Sequence, residues 1–362
     1  MNPTPEKENR IRIGITHGDV NGVSYEVIIK TLQDPRLTEL YTIIVYGSSK
    51  VASYYRKSLN VSDINFNLIK KPDGAHPRRP NIINIVEDEV KLDVGKSTST
   101  GGDLARLALE MATDDLIKKN IDVLVTGPIN KKNIQSPGFD FPGHTEYLAR
   151  KFNAPEHLML MVSEGVRVGV VTTHMPLSNV PGAISEELIM KKIELMNHSL
   201  MRDFGIIKPR IAVLSLNPHA GDDGLLGNEE NAIIKPAIGR AFSQNILAFG
   251  PFAADGFFGS GNIRHFDGVL GMYHDQGLIP FKILSFENGV NFTAGLPYVR
   301  TSPAHGTAYD IAGKDEAGAD AFRNAVYLAC DIYNNRIAYD DLKANALFSS
   351  PSERVTQEPN GN

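Results

Sequence analysis

One cysteine, Cys330, stands alone in 362 residues. Intrachain disulfides and Cys-based zinc sites are therefore excluded, and any transition-metal site must draw on His, Asp or Glu. No apolar run approaches the roughly 18 residues that a membrane span requires, and the polar opening MNPTPEKENR carries no signal-peptide core. The expectation is a cytoplasmic protein with no membrane partner. Basic blocks are missing too. The 37 Lys+Arg against 42 Asp+Glu leave a net charge of −5, and no basic stripe interleaved with aromatics is there to neutralise a phosphate backbone, which argues against nucleic acid as a partner. No Gly-x-Gly-x-x-Gly follows the first strand-like run, GSGNIR (259–264) lacks the third glycine, and GITHGDVNG has no Gly-Lys-Ser/Thr. If a nucleotide binds, it does so by another route.

What is present reads as an α/β enzyme. An apolar share of 42%, a charged share of 22%, 32 Gly and 21 Pro are ordinary for a globular chain and exclude disorder, collagen and coiled coil. The length predicts two domains or one large α/β unit with an insertion, because single cores stop growing near roughly 250–300 residues. Residues 1–10 and 350–362 are polar and unpatterned, and are expected to be frayed ends. Between them, short β-branched runs alternate with helix-period segments: IRIGIT (11–16), YTIIVYG (41–47), NIINIVE (81–87), DVLVTGP (122–128), VRVGVVTT (166–173), IAVLSL (211–216) and DGVLGMY (267–273). There is no internal repeat and no long linker. A middle substrate domain flanked by two halves of a second domain is compatible with this pattern.

Leu104, Leu107 and Met111 predict one helical face, closed by Lys118, Lys119 and Asn120. A second helix starts at the N-cap Ser185, carries Ile189, Ile193, Met196 and Leu200 on one face, and stops at Gly205. A third, near 316–333, stacks Phe322, Val326 and Cys330, which makes the cysteine a core residue rather than a nucleophile.

The histidines carry most of the chemical information. Three times an apolar run delivers an imidazole at its carboxyl end and then breaks into turn chemistry: His174, His219 and His274. Strand ends are where α/β sheets build their sites, and three neutral imidazoles suit Zn²⁺ or a neighbouring divalent ion. A single such histidine is more readily a strand cap or a partner of a nearby carbonyl; three together point to a metal. His76, His157 and His198 sit in polar loops or on a helix and receive no role. A second constellation, Lys282, Asn291 and Arg300, is spaced nine apart in apolar surroundings. It forms either an anion clamp or a set of surface cations with buried stems. His144 and Thr145 stand at a loop-to-helix start, where free N–H groups attract anions, although Thr145 also serves as a plain N-cap. Asp255 and Asp275 are the acidic candidates, either to orient an imidazole or to act as general base.

Taken together, TGPINK (126–131), GHTE (143–146), TTHMP (172–176), NPHAG (217–221), YHDQG (273–277) and GLPYVRTSPAHGTAYDIAGK (295–314) resemble the 4-hydroxythreonine-4-phosphate dehydrogenase family of vitamin B6 biosynthesis, in unbroken order from residue 11 to about 335. The resemblance implies an isocitrate/isopropylmalate dehydrogenase-like α/β fold, with two interleaved subdomains in one catalytic unit over 11–335 and the active site in the cleft between them. It also implies a homodimer with a shared active site, a divalent metal (Zn, or Mg, Co or Mn) on His174, His219 and His274, and substrate contacts from His144, Thr145, Lys282, Asn291 and Arg300. One motif departs. The family's first loop commonly reads Gly-Asp-Pro-Ala-Gly-Ile-Gly-Pro-Glu, whereas residues 18–26 here read GDVNGVSYE after His17, which bears on substrate choice.

The implied reaction is NAD-linked oxidation of the secondary alcohol of 4-phosphooxy-L-threonine, then loss of CO₂ to give 3-amino-2-oxopropyl phosphate. Dehydrogenation of a phosphorylated sugar acid (phosphothreonate or phosphoerythronate) is the alternative within the same chemistry, and a metal-free acyltransferase of the phosphotransacetylase type is the alternative of another class. HGTAYDIAGK (305–314) resembles the adenosine-binding loop of the isocitrate and isopropylmalate dehydrogenases. By that likeness His305, Gly306, Thr307 and Asp310 bind the cofactor, and the Asp310 carboxylate favours the ribose hydroxyl of NAD over the 2′-phosphate of NADP. The alternative, less favoured, is that Asp310 caps the following turn.

Overall fold

The chain runs through twelve strands: β1 (Arg12–Thr16), β2 (Thr42–Gly47), β3 (Asn67–Ile69), β4 (Asn81–Asn84), β5 (Val123–Thr126), β6 (Leu158–Ser163), β7 (Val166–Val170), β8 (Arg210–Leu214), β9 (Leu247–Phe252), β10 (Gly268–Gly271), β11 (Val290–Ala294) and β12 (Val299–Pro303). They come from a computed structural model that describes residues 10–135, 141 and 143–344. Apart from Arg10, the expected frayed ends lie outside the described residues. All twelve strands join one mixed sheet in the order β3-β4-β2-β1-β5-β12-β11-β6-β7-β10-β8-β9. Helices interrupt the strands along the chain, which makes the protein α/β. None of the helices among the described residues is long and apolar enough to cross a membrane.

The sheet has two parallel blocks. β3, β4, β2, β1, β5 and β12 form one, and β7, β10, β8 and β9 form the other. Antiparallel β11 and β6 lie between them. Three reversals from β12 to β7 make the second block run opposite to the first. β12 returns to the first block after the chain has built the second, so the carboxyl-terminal part of the chain packs beside β5. Strands at the block centres are buried along their whole length, as β2 is from Thr42 to Gly47, which is the pattern of parallel strands covered on both faces.

All seven expected runs form strands. Of the five others, β3, β6, β9, β11 and β12, three lack the sequence signature of a buried strand for identifiable reasons. β6 (LMLMVS) is built from Leu and Met rather than β-branched residues, and β11 (VNFTA) and β12 (VRTSP) alternate apolar with polar because only one of their faces packs in the core. On that face Val290, Phe292 and Ala294 are buried, and Thr301 Oγ1 donates to Ala325 O at 2.7 Å in the long helix behind the sheet.

The helix Glu186–Arg202 follows its sequence pattern. Ser185 Oγ accepts from Leu188 N at 3.2 Å, and Ile189, Ile193, Met196 and Leu200 are all buried. The helix Ser99–Ile117 forms where expected, but with a different buried face. Leu104, Ala105, Ala108, Leu109, Ala112 and Leu116 face inward, whereas Leu107 is half-buried and Met111 exposed. Small alanines let this helix lie close to the sheet, so the inward stripe is wider than the large side chains alone mark out. The third helix spans Asp320–Ala344, starting later and ending later than expected. Cys330 lies fully buried on it, and burial pushes its thiol up, away from the reactive thiolate.

Candidate active site

Arg300 is the largest fully buried side chain, 2% exposed. Its origin is the parallel register that sets Arg300 opposite Leu124. With a side-chain period of two, Thr126 then shares its face. Arg300 Nε and Nη2 donate to Thr126 Oγ1 at 3.1 and 2.6 Å, and Nη2 also meets His144 Nδ1 at 2.9 Å. Nη1 is buried without a partner. Among the described residues no carboxylate lies within ion-pair distance of this guanidinium, and burial lowers its pKa to about 10. A buried cation without a counter-ion is costly, and a bound anion removes that cost. The surface-cation alternative is thereby excluded for Arg300.

The same pairing extends the polar face across the middle of the sheet. Ser302 pairs with Asn291, Asn291 with Met161 and Thr293 with Met159. Met159, Met161, Asn291, Arg300 and Ser302 thus floor a cavity of about 260 Å³, located where the sheet changes direction. Asn291 Oδ1 is sealed from solvent and unpaired. Lys282 enters from the helix His274–Ser285, its long side chain lining the cavity although the residue is exposed overall. His144 opens the helix His144–Lys151, capped by Gly143 rather than by Thr145. Thr145 lies 3.5 Å from Thr293 across two hydroxyls. Because a guanidinium only donates, His144 Nδ1 must accept from Arg300, which leaves the proton on Nε2. That Nε2–H is buried with no partner, and burial followed by the charges of Arg300 and Lys131 keeps the ring neutral.

His174 and His274 complete the wall. Val171 N donates to Gly271 O at 2.8 Å and Thr172 N to Met272 O at 3.1 Å, which binds together the ends of β7 and β10. The two imidazole centroids are 5.7 Å apart. Asp275 Oδ1 lies 2.7 Å from His274 Nδ1, placed to orient that ring. Two residues missed in the sequence reading join here: Lys131 Nζ is 3.3 Å from His174 Nε2, and Glu146 Oε1 is 3.8 Å from His174 Nδ1. Both lie within quoted motifs, TGPINK and GHTE, and a search for charged side chains flanking the motif histidines finds them.

Other expected residues fall elsewhere. His219 is exposed and does not line the cavity; it begins a run of left-handed backbone from His219 to Asp223 with φ of 51°, 54°, 80°, 44° and 52°. Buried Glu230 holds the base of this turn, accepting from Leu216 N at 2.9 Å and Asn217 N at 2.8 Å. A single chain therefore brings two of the three imidazoles together, and among the described residues no three His, Cys, Asp or Glu side chains are grouped to hold a metal. Asp255 is exposed on the helix Ala254–Gly259, away from the cavity. The orienting role weighed for an aspartate has its geometry at Asp275. His305 and Gly306 line the cavity, whereas Thr307 and Asp310 do not. His305 Nε2 is buried and unpaired. The divergent loop 18–26 is absent from the lining: it is buried behind it, with Val23 N donating to Thr307 O at 3.0 Å and Asp19 N to Pro128 O at 2.8 Å. It thus supports two walls without meeting a ligand in the cavity.

Residues 39–329 match the family model of the pyridoxal phosphate biosynthetic protein PdxA. The chain belongs to this family. It is 53% identical over 342 residues to the 4-hydroxythreonine-4-phosphate dehydrogenase of Bacteroides thetaiotaomicron, covering 94% of each chain. The enzyme of the same name from Aquifex aeolicus is 40% identical, over 89% of this chain and 98% of that one. Among solved structures, the 4-hydroxythreonine-4-phosphate dehydrogenase of Klebsiella pneumoniae aligns with a TM-score of 0.77 at 33% identity, over 91% of this chain and 99% of that one. The α/β architecture is that of the family.

The buried histidines make a pH prediction. His17 is fully buried beside the cavity's support loop, and burial lowers its pKa from 6.5 to about 3. The unfolded chain takes up this proton below pH 6.5 and the folded chain does not, so stability present above 6.5 is lost as pH falls toward 3. His17 alone contributes a slope of about 1.4 kcal/mol per pH unit, and His144 and His305 act in the same direction. Urea unfolding at pH 7, 6, 5 and 4.5 is expected to show this decline and His17→Gln to make it shallower. A flat profile in both proteins contradicts it.

Proposed function

We propose that this chain is a metal-dependent, NAD-linked 4-hydroxythreonine-4-phosphate dehydrogenase working in the cytoplasm, and that it oxidises and decarboxylates 4-phosphooxy-L-threonine to 3-amino-2-oxopropyl phosphate. The observation that carries the reading is the buried, counter-ion-free Arg300 with an unpaired guanidinium nitrogen. Lys282, Asn291 and the neutral Nε2–H of His144 surround the same cavity, and this donor-rich set suits a phosphate dianion. Held there, the phosphate turns remote binding energy into orientation of the reacting carbon. Thr145 lines the cavity beside His144, within reach of the rest of the substrate. NAD, when bound, accepts the hydride, with His305, Gly306, Thr307 and Asp310 as its contacts. Asp310 is exposed and makes no hydrogen bond among the described residues, which favours a ligand-facing carboxylate over a turn cap.

The metal set of His174, His219 and His274 does not come together within one chain. We infer that it is completed in a homodimer, by a His219 that crosses from a second copy. Supporting this, the helix bearing His274 and Lys282 exposes Ile279, Ile283 and Leu284, with Phe286 just beyond it, at 56–79% each, a contiguous apolar face of the kind that marks an interface.

NADH absorbance tests the substrate and cofactor together, using 4-phosphooxy-L-threonine, phosphothreonate and phosphoerythronate with NAD and NADP. Turnover of the first with a tenfold or greater preference for NAD is expected. Turnover of a sugar acid alone, or equal use of NADP, overturns the corresponding part. Arg300→Ala is expected to lower kcat/KM by on the order of 2–5 kcal/mol while the fold persists; wild-type turnover removes the clamp. Finally, mixing His219→Ala with Arg300→Ala chains is expected to restore activity, because one composite site of each mixed dimer carries neither lesion. No recovery after demonstrated subunit exchange refutes the shared metal.

A further inference from the structure

Asp19 is buried to 0% exposure, yet no Lys or Arg pairs with it among the described residues. Its charge is met by neutral donors from three parts of the chain. Oδ1 accepts from Asn21 N at 2.9 Å, and Oδ2 accepts from the Tyr309 hydroxyl at 2.6 Å and from Asn133 Nδ2 at 2.9 Å. Its own N–H donates to Pro128 O at 2.8 Å. An ionised carboxylate this deep is tolerated only while its donors stay in place, because each lost donor leaves a desolvated charge uncompensated. The carboxylate therefore fixes the distance between segment 127–133, which gives Gly127, Pro128 and Lys131 to the cavity, and segment 305–310, which gives it His305 and Gly306. Backbone contacts seat the same loop: a Cβ at Gly22 would meet Thr307 O at 2.6 Å, so only glycine lets the two segments approach this closely.

We propose that Asp19, acting through Tyr309, is a positioning residue for the nicotinamide cofactor: it clamps segment 305–310 against segment 127–133 and so presets the cofactor's wall of the cavity. This rests on the reading that residues 305–310 receive NAD. It gives the first loop a task, carried by Asp19 and Gly22, two positions at which the loop keeps the family's pattern: to set the spacing of two walls from behind rather than to read the substrate. It also separates the two ligands of the site. The phosphate clamp stands on β11, β12 and the helices His144–Lys151 and His274–Ser285, none of which hangs on the Asp19 carboxylate, whereas the cofactor segment does.

The test is Tyr309→Phe, which deletes one hydroxyl and keeps the ring, with Asp19→Asn as a second variant that removes the charge and one of the two acceptor oxygens at constant volume. NAD affinity is measured by calorimetry, clamp affinity with inorganic phosphate, and order in 305–310 by amide hydrogen exchange. In both variants NAD is expected to bind about tenfold more weakly, and exchange in 305–310 to quicken. Phosphate affinity is expected to stay within about twofold of wild type, by the same reasoning. In turnover, KM for NAD rises while kcat at saturating NAD is retained, a split that general loss of structure does not produce. Unchanged NAD affinity in variants of a wild type that binds NAD overturns the positioning role alone, as does an equal loss of NAD and phosphate. A wild-type chain that binds no NAD overturns the cofactor reading and this inference with it.

Discussion

The hydrogen bonds from Arg300 to Thr126 and His144 are the interaction on which the rest of the site depends. A guanidinium buried without a carboxylate depends on neutral acceptors for its N–H groups, and here two of them satisfy some while Nη1 is unpaired. Thr126 ends β5 and His144 opens a helix, so the same bonds hold a strand and a helix in a fixed relation. They also set the tautomer of His144 and hence the direction of its remaining proton. Replacing either acceptor would both strand a buried charge and change what the cavity presents to an anion.

That arrangement is available because β12 returns to lie between β5 and β11. A parallel partner on one side and an antiparallel partner on the other turn the polar side chains of three middle strands onto one face, while their apolar alternates pack against the helix Asp320–Ala344. The reversal of direction between the two blocks opens the crevice that those side chains floor. The cavity floor is thus drawn from rigid strands, and the loops after β5, β7 and β12 together with the helices His144–Lys151 and His274–Ser285 complete its walls.

Support from behind matters as much as the lining. Loop 18–26 lines no part of the cavity, yet it carries a buried carboxylate and a close glycine contact that hold two of the walls. The left-handed turn at His219 is another costly feature, since four of its five consecutive positive-φ residues, His219, Ala220, Asp222 and Asp223, are not glycine. Glu230, accepting two backbone N–H groups at its base, helps hold it. Both features lie outside the cavity.

The sequence by itself determined the alternation of strands and helices, the seven β-branched strands, the helix capped by Ser185, the burial of Cys330 and most of the cavity's polar residues. Local propensity and side-chain chemistry suffice for these. The family motifs were legible for the same reason, since residue type and order need no coordinates. Tertiary structure alone decided that β11 and β12 are strands, because their alternation reflects a cavity on one face rather than solvent. It decided that Leu107 and Met111 lie off the core, because small alanines carry the contact. It also decided which motif residues meet: His174 joins His274 through the pairing of β7 with β10, whereas His219 and Asp255 stand apart from the cavity. Spacing along a chain cannot encode that, because adjacency here is set by the register of strands far apart in sequence.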